Sequence, residues 1–171
     1  MPLKKPSGVP KLSKARKKNS EAAKKAIPQK KEDKNEYLLK ALFYYDETMH
    51  RQYYLLRLET IAEFTSFAYE ISVDAQIEKK DINITIMGLQ TKMNYLPNIE
   101  PAKADVPYEN LVGDYTVNVI KQDGCINSAV FNFNIYSKNI KLIKKFIPLK
   151  KNNRRFCEFE VAEQEFSFQP E

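Results

Sequence analysis

Between Phe67 and Ile86 the chain places an apolar residue at nearly every second position, and that alternation limits what it can fold into. Phe67, Tyr69, Ile71, Val73, Ala75 and Ile77 interleave with Ala68, Glu70, Ser72, Asp74 and Gln76. A period of two is that of a strand with one buried face. Lys79 and Lys80 supply a polar turn, and Ile82, Ile84 and Ile86 alternate with Asn83 and Thr85 in a return strand. The segment therefore reads as a hairpin of a half-buried sheet.

The same pattern recurs downstream. Tyr115, Val117 and Val119 alternate with Thr116 and Asn118, and Asp123–Gly124 is a strong hairpin turn signal. Residues 126–136 read as the return strand. A turn at Lys138–Asn139 leads to a fifth strand over residues 140–147, ended by Pro148, and residues 156–161 make a sixth. Phe166 and Phe168 suggest a short edge strand. Residues 90–113 hold Pro97, Pro101, Pro107 and Gly113 and read as a long loop. Upstream, residues 37–65 lack Gly and Pro, and Leu38, Leu42, Tyr45, Met49, Tyr53 and Leu56 fall near one helical face. A helix is predicted there, although Leu56–Phe64 also alternates as a strand would. The expected fold class is α+β or mainly β: an N-terminal helix, then an antiparallel β-sandwich or curved sheet of about six strands.

Residues 1–36 are a different kind of sequence. They hold twelve Lys/Arg against four acids, and Leu3, Val9, Leu12 and Ile27 are their only large aliphatic residues after Met1. So little apolar surface does not offset ordering entropy. The division expected is a disordered Lys-rich tail over 1–36 and one folded domain over 37–171. Within the tail, Ser20 could cap a short helix in the proline-free stretch 11–27. A second basic block, residues 138–155, holds eight Lys/Arg and no acid, whereas 156–171 holds five acids and no base. The acidic end could pair with either basic block.

Catalytic machinery is hard to find. Four glycines, at 8, 88, 113 and 124, make no phosphate-binding loop, and no Gly-x-Ser-x-Gly elbow occurs. His50 sits beside Arg51 with no evident nucleophile. Cys125 follows a turn, but a packed thiol is its simpler reading. One His and two Cys, all far apart, fall short of a closed zinc site. No catalytic residue, metal or cofactor is assigned. Two free thiols fit a reducing, cytoplasmic setting, and no apolar run approaches the roughly 20 residues of a membrane span.

Charge segregation of this kind suggests a polyanionic partner. The expected function is non-enzymatic binding of nucleic acid or a ribonucleoprotein surface, without sequence preference. Lys4, Lys5, Lys11, Lys14, Arg16, Lys17, Lys18, Lys24 and Lys25 would contact phosphates from the arm. Lys150, Lys151, Arg154 and Arg155 would form a second anchor. Tyr136, Phe146 and Phe156 could stack bases, although core packing is the expectation for them. The alternative is a structural or adaptor module that docks a protein through a sheet edge or through Phe43, Tyr44, Tyr53 and Tyr54 on the expected helix. The Lys residues around 138–145 could equally protect an edge strand from aggregation.

Overall fold

The computed structural model describes residues 14–93 and 99–170. One helix, α1 (Lys14–Lys25), is followed by β1 (Tyr37–Asp46), β2 (Arg51–Phe64), β3 (Tyr69–Glu78), β4 (Asp81–Thr91), β5 (Glu100–Tyr108), β6 (Gly113–Lys121), β7 (Ile126–Asn134), β8 (Asn139–Phe146) and β9 (Cys157–Val161). The strands form a single sheet in the order β8-β7-β6-β4-β3-β5-β2-β1-β9. The mainly β reading holds, but the expectation of about six antiparallel strands does not. Nine strands are present among the described residues, and β1–β9, β3–β5 and β4–β6 pair in parallel.

The sheet curls until its outer strands, β8 and β9, face each other, so it is nearly closed. It has two weak joints. β3 and β5 share a single bridge, Glu70 to Lys103, and β8 and β9 share no backbone ladder. Five strands on one side of these joints therefore face four on the other. A round barrel of more than about eight strands has a lumen too wide for side chains to fill. Here side chains of both halves share one core: Leu39, Phe43, Leu56 and Leu58 from one half cluster with Ile82, Ile84, Val117, Val119, Phe131 and Phe133 from the other, all fully or almost fully buried.

The helix expected over residues 37–65 is instead the β1–β2 hairpin. Alternation is blurred there because apolar residues lie on both faces of β1. Leu39, Ala41 and Phe43 point into the core, while Leu42 on the opposite face packs with Leu55, Ala162 and Phe166. Apolar residues on both faces weaken the alternation that marks a strand. The turn also lacks Gly and Pro. Asp46 Oδ1 accepts hydrogen bonds from the backbone N–H groups of Thr48 (2.9 Å) and Met49 (3.0 Å), and His50 takes the left-handed φ of 51° that closes it.

β5 lies in what reads as a loop, and it contains Pro101 and Pro107. Proline survives in strands that are edges. β5 qualifies, because it pairs along β2 but meets β3 at one position. The expected edge strand at Phe166 and Phe168 does not form. A 3-10 turn at Glu163–Glu165 swings both rings onto Phe43, at 5.1 Å between ring centroids in each case.

Where β8 stops, a side chain takes over from the ladder. Asn127 on β7 is 2% exposed. Its Oδ1 accepts from the N–H groups of Phe156 (2.7 Å) and Cys157 (2.8 Å), and its Nδ2 donates to the Arg154 carbonyl (2.8 Å). One amide thus acts as a rung between β7 and the entry to β9. Removing it strands several buried backbone groups at about 1–3 kcal/mol each, partly relieved by relaxation. Asn127→Ala should lower unfolding free energy by about 3–5 kcal/mol in urea titration, whereas Asn132→Ala, at an exposed pair with Asp114, should cost under about 1 kcal/mol.

Candidate functional site

Strand β8 is where cationic and apolar side chains are exposed together. Ile140 is buried and Leu142 half-buried, but Lys141, Ile143, Lys144, Lys145 and Phe146 are all exposed. The register explains their directions. Phe131 pairs with Leu142, yet its neighbour Val130 pairs with Lys144, so Ile143 is an extra residue in a bulge. Strict alternation would place Lys141 and Lys145 on one face and Lys144 on the other. The bulge instead aligns Lys141, Lys144 and Phe146 opposite Asn132, Val130 and Ser128, on the outer face of β7. Lys145, opposite the buried Ala129, turns toward the β8–β9 joint and pairs with Glu158.

Between β8 and β9 lies a groove of about 480 Å³, with Ser128, Lys145, Phe146, Ile147, Arg155 and Glu158 among its lining residues. Its floor is rigid. Asn118 donates to Asn83 Oδ1 (3.1 Å) and accepts from Ser128 Oγ (2.6 Å), a polar row across β4, β6 and β7 that ends beside Phe146. Lys144 Nζ lies 5.2 Å from the centroid of the Phe146 ring. At the far end of β8, Lys138 Nζ lies 5.1 Å from the centroid of the Phe168 ring. Tyr136, in the β7–β8 turn, is 92% exposed, and Phe146 is 39% exposed. Phe156, the third aromatic considered for stacking, is fully buried.

The thirteen basic residues singled out from the sequence divide sharply. Lys4, Lys5 and Lys11 lie outside the described residues. Lys14, Arg16, Lys17, Lys18, Lys24 and Lys25 belong to α1, with Lys18 and Lys25 exposed and Lys24 half-buried. Lys150 is committed to the fold: its ammonium donates to the carbonyls of Lys24 and Gly124, both at 2.7 Å, and burial pulls its pKa down. Arg154, 3% exposed, is committed too, with its guanidinium 2.6 Å from Glu36 Oε1. Lys151 and Arg155 are exposed and make no ion pair among the described residues. Lys141 and Lys144 were not among the residues singled out: alternation already places Lys144 with Phe146, and the bulge brings Lys141 onto the same face.

The segment joining α1 to β1 is tied along this side of the molecule. Pro28 is buried, and a Cβ on Gly124 would come within 2.4 Å of the Ala26 carbonyl oxygen. Lys34 N–H donates to the Arg155 carbonyl (3.1 Å), Arg155 N–H to Asp33 Oδ1 (2.9 Å) and Glu36 N–H to the Phe156 carbonyl (2.8 Å). Glu36 is the hub, bridging Arg154 and Lys121. Partial burial pushes its carboxyl pKa up, but hydrogen bonds from those two cations outweigh it and hold the pKa below the ordinary value. The acidic C-terminus engages the folded domain. Glu158 meets Lys145 of the second basic block, whereas Glu165 meets Lys40 (2.8 Å) and Arg57 (3.0 Å), which belong to neither block.

Three further chemical candidates are His50, Cys125 and Cys157. His50 lies in the β1–β2 turn, its Nδ1 3.3 Å from the Tyr45 hydroxyl. Cys125 and Cys157 are free thiols, both buried, and burial raises the pKa of each. Phe43 and Tyr54 point into the core with ring centroids 5.0 Å apart, so the four-aromatic docking face expected on a helix does not exist. No cluster of metal-ligating side chains occurs among the described residues, and no described helix is long and apolar enough to cross a membrane. Comparison with protein-family models, with curated proteins and with solved structures gave no match for the chain.

Because the Glu36 pKa is depressed in the folded state, its contribution is present above the ordinary carboxyl value of 4.5. It is lost as pH falls through the folded value. Glu36→Gln should reduce stability at pH 7 by about 1–3 kcal/mol. It should also shrink the further loss on acidification below pH 4.5. Thermal melts of both proteins between pH 7 and 3 check the sign.

Proposed function

We propose that this protein is a non-enzymatic binder of nucleic acid or a closely similar polyanion. The Lys-rich arm supplies diffuse attraction and the outer face of β8 supplies a fixed surface. The observation that carries the reading is the contrast between two outer faces of one sheet. On the β1-β2-β5 side, cations are neutralised: Arg57 holds Asp105 at 2.7 Å, and Lys40 holds Glu59 at 3.1 Å. On the β8 side, Lys141, Lys144, Lys151 and Arg155 are exposed and make no ion pair among the described residues. Together with the arm they form a positive field that draws polyanions by counterion release. Lysine predominates in both, which favours phosphate contact over bidentate reading of base edges.

A protein-docking role is favoured by one observation: Tyr136, Ile143 and Leu149 are exposed at the same edge. The two readings separate in a salt series. Binding to generic DNA and RNA should weaken steeply with salt. Joint alanine substitution of Lys141, Lys144, Lys151 and Arg155 should reduce the log–log slope by about 3, at roughly 0.7–0.9 per lost phosphate contact. Lys79→Ala, at the distant β3–β4 turn, should leave it unchanged. Absence of binding at low salt rejects the polyanion reading.

A further inference from the structure

The β8–β9 groove differs from the rest of the basic surface in being a cleft with an aromatic wall. Phe146 is partly exposed at its side, with the Lys144 ammonium 5.2 Å from its ring centroid. Arg155 stands across the groove on a backbone pinned at both ends, through Asp33 to its N–H and Lys34 to its carbonyl. Its side chain thus projects from a fixed base. Glu158, the acid in the groove, is already paired with Lys145. The groove therefore carries a positive excess from Arg155. Its volume of about 480 Å³ falls within the roughly 300–1,000 Å³ of small-ligand sites. On the floor, Ser128 Oγ is spent on Asn118 and the Asn127 amide on backbone.

We propose that this groove receives an unpaired base of a single-stranded nucleic acid, stacked on Phe146, with the adjoining phosphates held by Arg155, Lys144 and Lys141. The inference rests on the polyanion reading and adds a substrate class to it. Bases inside a duplex are stacked on each other and cannot enter. The floor amides and hydroxyl are committed, so the groove selects by shape and stacking and should tolerate any base. β8, about 26 Å long at 3.3 Å per residue, would carry the strand onward toward Tyr136 at its far end.

The test uses the full chain and three labelled probes: an oligo-dT single strand, a blunt duplex of the same length, and inorganic polyphosphate. Fluorescence anisotropy at low salt should show the single strand binding more tightly than the duplex. Phe146→Ala should weaken single-strand binding roughly 5- to 150-fold and leave polyphosphate binding within about twofold. Phe146→Tyr should retain binding, whereas Phe146→Leu, which fills the same space without a planar ring, should not. Thermal melts of the variants separate loss of stacking from loss of fold. Equal affinity for all three probes, or a Phe146→Leu protein that binds like the parent, overturns the stacking site while the polyanion reading stands. Failure of every probe to bind overturns both.

Discussion

Closure of the sheet without a closing ladder is the constraint on which the rest of the structure depends. Eight adjacencies in the strand order involve backbone pairing, but between β8 and β9 side chains do the work. Asn127 spans the end where β8 has stopped, Lys145 and Glu158 pair farther along, and Phe168 beneath Lys138 seals the other end. A ladder would have brought the strands to about 4.8 Å and left no cleft. Side-chain closure holds them farther apart, so the groove is a consequence of how the sheet is finished. The other weak joint, at the single β3–β5 bridge, has a groove of its own for the same reason, lined by Glu70, Ser72, Lys103 and Asp105 among others. That groove has as many acids as lysines in its lining and no aromatic wall.

The same economy of side chains decides which positive charges are available. Arg154 and Lys150 lie within the most basic stretch of the chain, yet both are used to fasten the residues before β1 to the barrel. Burying Arg154 is tolerable because Glu36 meets it directly, and leaving either one alone would be costly. Local charge density along the sequence therefore overstates the cationic surface. What remains outward is set by strand register and by which carbonyls and carboxylates lie nearby.

Much of the β-structure was legible because alternation survives wherever one face of a strand meets water. The β3–β4 and β6–β7 hairpins appear where Ile71–Ile86 and the Asp123–Gly124 turn place them. Three features hid the rest. β1 has apolar residues on both faces, Leu39 and Ala41 in the core and Leu42 opposite, so the segment imitates a helical stripe. The turn after it is built by an Asp46 side chain and a left-handed His50 instead of Gly or Pro. β5 tolerates Pro101 and Pro107 because one of its sides barely pairs. The site was legible as a composition, many lysines near residue 140, but not as a geometry. The bulge at Ile143 resets the alternation, and nothing in a run of Ile, Lys and Leu announces it.

That bulge also bears on whether the β8 lysines merely guard an open edge. A guarding lysine must lie where an incoming strand would pair, along the edge itself. Lys145 and Lys138 fit that duty, since they turn into the joint and meet Glu158 and Phe168. Lys141 and Lys144 lie on the outer face with Asn132 and Val130. Lys138 and Lys145 are thus engaged at the joint, and Lys141 and Lys144 remain on the face of Phe146 with no ion pair among the described residues. A folded protein gains nothing in stability from unpaired like charges placed two or three residues apart. The outward pair, with its adjacent ring, is the part of this charge on which the proposed polyanion contact rests.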